Sequence, residues 1–287
     1  MKTLIVNADD MGVSPHVNSA IVSLYKASAI TGTSIISQGE AFSEACFSLK
    51  ENGISEVGAH LTLTGNFRPV TLKGEGSRGF LTREGYFPNN YLLLALCVFL
   101  GRAGRKELKN ELASQIEKIM GQGLTVTHLD SHEHVHMLPQ IWDIAVELCS
   151  EFSIPYIRIP MERLPAYGPG ANVKDAVRSR ALRFFSKSVH KRLSGTSIYS
   201  NDAFLGHVHS GKLNGEVLSF MADNMAEGIT ELAVHPADNS PELFNELPWY
   251  RNGPDEMKAL MSEKWKDKLN ELGVITATHS EAIKNSR

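Results

Sequence analysis

Leu4-Ile-Val-Asn-Ala-Asp-Asp10 is a short apolar run that turns abruptly polar. A continuous apolar run of this length is the composition of a strand covered on both faces, and the two aspartates fall at what would be its C-terminal end. Downstream, Val17, Ala20, Ile21, Leu24 and Tyr25 recur at helical spacing as far as Ala29, and Gly32 precedes a second β-rich run, Thr33 to Ser37. That is a β-α-β unit. A strand returned by a crossover helix implies a parallel sheet with right-handed connections.

The rhythm continues outward from this unit. Helical patterns lie near Ala41 to Glu51, Lys106 to Met120, Pro139 to Glu151, Ala176 to Leu193, Gly215 to Ala226 and Pro254 to Leu272. Between them fall strand patterns at Val57 to Leu61, Thr125 to Leu129, Tyr156 to Ile159, Ser197 to Tyr199, Thr230 to Val234 and Val274 to Thr276. With the first two, this makes about eight strands. The expected fold is α/β: an irregular (β/α) barrel with mostly parallel strands, forming one domain over residues 1–287, with an open doubly wound sheet as the alternative. In either architecture, reacting groups belong at the C-terminal ends of the strands, where the loops converge on one mouth.

Composition narrows the function. With 42% hydrophobic residues the chain can bury a large core, and a net charge of -3 with a pI near 6.4 gives no reason to expect nucleic acid or an anionic membrane as partner. Cys46, Cys97 and Cys149 lie far apart and form no Cys-x-x-Cys pair, so neither a disulfide framework nor a thiolate zinc site is expected, and a reducing compartment is. Lys2 runs straight into Thr-Leu-Ile-Val, without the apolar stretch of a signal peptide, so secretion is not expected. Tyr91 to Leu100, the longest apolar run, is about half the roughly 20 residues that span a bilayer and reads as a buried helix or an oligomer contact. Gly65 to Gly85 and Pro160 to Gly170 read as long loops, which inside a compact domain are often functional.

Four polar clusters follow predicted strands: Asp9-Asp10, His60 in Gly58-Ala-His-Leu-Thr62, the run Thr127-His-Leu-Asp-Ser-His-Glu-His-Val-His136, and His235-Pro236. The third holds four of the eleven histidines within ten residues. A hard or borderline divalent cation that activates water needs oxygen and imidazole ligands and an open position, which one carboxylate and two imidazoles provide. Spacing does not choose among the histidines. His128 and His132 would share a face in a helix, whereas His132, His134 and His136 would share one in a strand. Pro139 argues that regular helix starts only near Leu138, leaving His132 on a loop past the strand and His128 and Asp130 nearer its end, as groups that orient ligands. Adjacent aspartates on an extended chain point in opposite directions, so only one of Asp9 and Asp10 is expected to reach a given metal, leaving the other to act as a base. His235 has the right intrinsic pKa for a general acid.

Taken together, Asn7-Ala-Asp-Asp-Met-Gly12, Gly58-Ala-His-Leu-Thr-Leu-Thr64, the histidine-rich run through Met137 and His235-Pro236 resemble the YdjC-like carbohydrate deacetylase family, whose best-known members remove acetyl groups from chitooligosaccharides. The resemblance implies an irregular (β/α) barrel related to polysaccharide deacetylases, and a divalent cation, magnesium before zinc, held by Asp10, His60 and His132. It further implies that Asp9 deprotonates the attacking water and that His235 protonates the leaving amine. The substrate would be an acetylated amino sugar or oligosaccharide and the protein a cytoplasmic homodimer. In this family the segment often reads Ser-His-His-His-Val-His, and Glu133 stands here in place of the middle histidine. Phe67, Tyr86, Phe87, Tyr167 and Trp249 are candidate sugar-stacking aromatics. The competing functions are a metal-dependent phosphoesterase or non-sugar amidohydrolase on the same barrel, and a non-catalytic sugar sensor.

Overall fold

β1 (Lys2–Met11) is the organising strand, almost wholly buried, with neighbours along both edges. In this computed structural model, which describes residues 1–72, 80–102, 104–162, 168–170, 180, 186, 189–190 and 192–286, one edge of β1 pairs with β7 (Gly228–Val234) from Lys2 to Ala8. The other edge is shared. Its first residues pair with β8 (Val274–Thr276), and Asn7 to Met11 pair with β2 (Gly32–Ile35). The sheet continues through β3 (Glu56–Leu61) and β4 (Thr125–Ser131) to β5 (Tyr156–Ile157), and on the far side β7 is flanked by β6 (Ala203–Leu205). All of these pairings are parallel.

The sheet is curled. Beyond β5, Glu162 bridges to Phe204 of β6, so the two ends of the strand order meet, and Arg158 reaches from beside β5 to Glu231 on β7. This is the irregular barrel expected, irregular because β8 shares an edge of β1 with β2 instead of standing between two full neighbours. Helices pack outside: α1 (Pro15–Lys26), α2 (Phe42–Glu51), α3 (Tyr91–Phe99), α4 (Arg105–Met120), α5 (Pro139–Glu151) and α6 (Gly215–Asp223). Leu4, Val6 and Ala8 of β1 join the main core, while Ile5 belongs to a smaller cluster with Tyr156, Ile229 and Ala277. This is the period-two alternation of a strand covered on both sides. α1 starts where Ser14 accepts a hydrogen bond from the His16 amide, with Pro15 at the first helical position.

Two expectations change. The sixth strand is Ala203–Leu205, not Ser197 to Tyr199; Tyr199 makes only a single bridge to Tyr156, whereas Ala203 to Leu205 run in register beside Thr230 to Leu232 and are buried. The helical pattern from Pro254 to Leu272 is two helices, α8 (Gly253–Leu260) and α9 (Glu263–Glu271), because Ser262 caps the second by accepting from the Trp265 amide. The short helices α7 (Pro241–Glu246) and α10 (His279–Asn285), together with a 3-10 turn at Pro248–Asn252, complete the chain. Most of the expected helix from Ala176 to Leu193 lies outside the described residues. Among the described residues, no helix is long and apolar enough to cross a membrane.

Candidate active site

The C-terminal ends of β1, β3, β4 and β7 open into a cavity of about 440 Å3, lined by Asp9, Asp10, His60, His132 and His235 together with His134, Phe204, His207, Ser210 and Trp249. Four separate sequence clusters therefore share one mouth, as parallel strands require.

Asp9 and Asp10 both face it, contrary to the alternation of an extended strand. The register between β1 and β2 shifts between Ala8 and Met11, and Asp10 takes a left-handed backbone (φ 66), which turns its side chain to the same face as that of Asp9. For a residue other than glycine such a conformation costs on the order of 1 kcal/mol or more and is concentrated at functional sites.

Asp10 Oδ1 lies 3.1 Å from His60 Nε2 and 3.1 Å from His132 Nδ1, and one ligating atom from each of these three residues falls within 4.8 Å of the others. The other Asp10 oxygen accepts a 2.6 Å hydrogen bond from the hydroxyl of Tyr250, which is buried. The second nitrogen of His60, Nδ1, sits 2.9 Å from Asp130 Oδ1, the arrangement by which a carboxylate fixes a ligating imidazole. A second possible ligand group, Asp9, His60 and Asp130, is already served by a cation: the Arg158 guanidinium lies 2.7 Å from both Asp9 oxygens and 2.7 Å from Asp130 Oδ2. Its Nε also meets Glu231 Oε1 at 2.6 Å.

Asp9, Asp10, Asp130 and Glu231 are buried carboxylates around one fixed positive charge, Arg158. Burial would raise the pKa of Asp9, but Arg158 overrides it and keeps the carboxylate ionised well below the usual range. Burial likewise opposes the ionised form of Asp10, which His132 and His60 hold well below the usual carboxylate range. His60 responds to the negative surplus: burial pulls its pKa down, yet Asp130 and Asp10 push it up to about 10. The four buried carboxylates thus outnumber the one fixed positive charge among them.

His235 Nε2 lies 4.0 Å from Asp9 Oδ2, and its backbone amide donates to Glu256 on α8. His132 opens a 3-10 turn, His132–Met137, in which Glu133 and His134 are both left-handed (φ 52 and 55), so neither a helical nor an extended spacing relates these histidines. His134 lines the cavity. His136 is buried between Ser131 and the Arg158 carbonyl, and His128 is buried against Asn7 and stacked on His279, 3.5 Å between centroids. Asp130 therefore meets His60 directly, whereas His128 is hydrogen-bonded to Asn7 and stacked on His279.

Among the aromatics, Trp249 lines the cavity and is half exposed, and the Phe67 ring meets His132 edge-on at 6.0 Å. Phe87 is fully buried against Phe80, Tyr86 stacks with Arg68 away from the cavity, and Tyr167 lies outside the described residues. Sequence reasoning missed Arg158, Tyr250 and Ser34, whose hydroxyl donates to Asp130. Arg158 had a signal: it is a lone charge in Tyr156-Ile-Arg-Ile159, at the end of a strand pattern. Tyr250 had none.

A family model described as YdjC-like protein matches residues 3–271. The carbohydrate deacetylase of Brevibacillus brevis is 26% identical over 284 residues, covering 97% of this chain and 98% of that protein. Carbohydrate deacetylase 1 of Listeria innocua is 33% identical over 151 residues, 53% of this chain and 58% of its own length. A solved structure from Enterococcus faecalis V583, described as a candidate cellobiose-phosphate cleavage protein, aligns over 98% of each chain with a TM-score of 0.78 and 25% identity.

Proposed function

The chain belongs to the YdjC-like protein family, and on that premise we propose that it is a metal-dependent carbohydrate deacetylase that hydrolyses the N-acetyl amide of an acetylated amino sugar or chitooligosaccharide and releases acetate. The observation that carries the reading is one mouth holding two separate sets of groups. Asp9 and His235 stand 4.0 Å apart, and the cation-seeking trio Asp10, His60 and His132 sits beside them.

Asp10, His60 and His132 would hold the cation, magnesium or zinc. When bound, it supplies Lewis-acid polarisation of the acetyl carbonyl and acidifies water. Asp9 receives the water's proton. Its tether to Arg158 keeps it ionised and aimed. His235 donates a proton to the departing nitrogen, which an amide needs because an unprotonated amine anion is a very poor leaving group. Trp249 offers an aromatic face to a sugar ring at the cavity mouth.

The occupancy of the second carboxylate group by Arg158 supports a single cation and counts against a two-metal phosphoesterase. Strands from both ends of the chain, β1 and β8, pair directly, which supports one catalytic unit over the whole chain.

The test is acetate release from N,N'-diacetylchitobiose and longer chitooligosaccharides by metal-stripped protein before and after adding single divalent cations. Acetate is expected only with cation. Asp9→Asn is expected to keep its metal content while turnover falls by roughly 10²–10⁴-fold. Metal-loaded protein that releases no acetate from any of these sugars would reject this substrate class, and the phosphorylated disaccharide suggested by the Enterococcus relative would be tried next.

A further inference from the structure

The two oxygens of Asp10 are used differently. Oδ1 faces His60 Nε2 and His132 Nδ1, each at 3.1 Å, which is where a cation shared by the three would sit. Oδ2 is taken by the Tyr250 hydroxyl at 2.6 Å. Tyr250 is 1% exposed, and its amide is tied to the Leu247 carbonyl within the Pro248–Asn252 turn, so the phenol approaches Asp10 from packed structure and not from a swinging loop. A buried hydroxyl that donates to one carboxylate oxygen competes with a cation for that oxygen and fixes the plane of the carboxylate, so two-oxygen chelation is disfavoured.

We propose that Tyr250 is a positioning residue that confines Asp10 to binding the cation through one oxygen, and thereby biases the site toward small divalent cations over large ones. The inference rests on the reading of Asp10, His60 and His132 as the ligands. Its physical basis is that calcium accepts two-oxygen carboxylate ligation and irregular, high coordination numbers, whereas magnesium demands near-ideal octahedral geometry at short distance. Holding Oδ2 disfavours the two-oxygen mode that a large cation uses and leaves the one-oxygen mode that a small cation needs. A hydroxyl that merely filled space would favour neither.

Tyr250→Phe keeps the ring that packs the turn and removes only the donor. Binding of Mg2+ and Ca2+ to the metal-stripped wild-type and variant proteins would be measured by equilibrium dialysis, with thermal unfolding as the check on folding. The Mg2+ affinity of the variant is expected to fall by about 10–100-fold, the usual consequence of losing a group that orients a ligand, while Ca2+ affinity falls much less or rises. Equal weakening of both ions, or no change in either, would overturn the proposal.

A crystal structure of the wild-type protein soaked with Ca2+, the ion that would otherwise take both oxygens, decides the matter even if the variant does not fold. Asp10 bound through one oxygen with the Tyr250 contact retained is the expected result, and two-oxygen ligation would overturn it. Wild-type protein that binds neither cation would remove the ligand assignment itself and this inference with it. Tight wild-type binding with an unchanged Mg2+/Ca2+ ratio in the variant would remove only the role of Tyr250.

Discussion

Arg158 is the residue on which the interior of the barrel depends. Its guanidinium is fully buried and contacts Asp9, Asp130 and Glu231, each of which is buried as well. Burial alone would raise the pKa of Glu231, but Arg158, helped by His279, brings it down to about 2. A buried ion-pair network of this kind is a poor source of net stability, yet removing one partner is severe because the others are left charged and desolvated. Arg158→Met is therefore expected to lower unfolding stability by about 3–5 kcal/mol in urea titrations. A midpoint within a few tenths of a molar of wild type would mean that the carboxylates find protons or water when the guanidinium is gone.

At the scale of the element, α4 shows how a helix outside the barrel disciplines a loop at its mouth. Glu111, buried on α4, accepts hydrogen bonds from the amides of Val70, Thr71 and Leu72 at 2.9, 2.7 and 3.0 Å and from the Thr71 hydroxyl at 2.9 Å. These residues begin three positions after Phe67, whose ring meets His132. Glu111→Ala leaves several of these donors without an acceptor, at a cost of about 1–3 kcal/mol each where they stay buried. The loop is expected to open before the barrel does. Limited proteolysis should cut between residues 66 and 72 several-fold faster in the variant, with little change in global unfolding; equal cutting rates would show that the loop is held by other contacts. The helical pattern from Lys106 to Met120 announced α4, but nothing in it marked Glu111 as a loop anchor, because its partners are backbone amides about forty residues away.

For the whole molecule, the buried imidazoles set the response to acid. Burial is the main reason that His128 and His134 are held well below the ordinary histidine range, and it brings His136 down to about 4. A histidine whose folded pKa is depressed contributes stability that is fully present above its unfolded value near 6.5 and is lost as pH falls through the folded value. For His136 the loss between pH 6.5 and 4 is about 3 kcal/mol, and carboxylates such as Glu231 add to it below about pH 4.5. Urea unfolding midpoints are expected to drop steeply from pH 6.5 to 4.5, and His136→Gln should flatten that slope; a midpoint independent of pH over this window would refute the buried-neutral assignment. What could be read from residue order was whatever repeats or clusters along the chain: the β/α alternation, the strands that end in Asp9-Asp10, His60, His132 and His235, and their convergence on one mouth, since parallel strands put all their C-terminal ends on the same side. What folding alone decided depends on contacts between distant segments and on local backbone twist. The left-handed turn at Asp10 brought both aspartates to one face, the curl of the sheet carried Arg158 to Asp9 and Glu231, and Tyr250 reached Asp10 from 240 residues away. Periodicity fixes which way a side chain points on a regular element, and these three placements arise where the element stops being regular or where the partner is on another one.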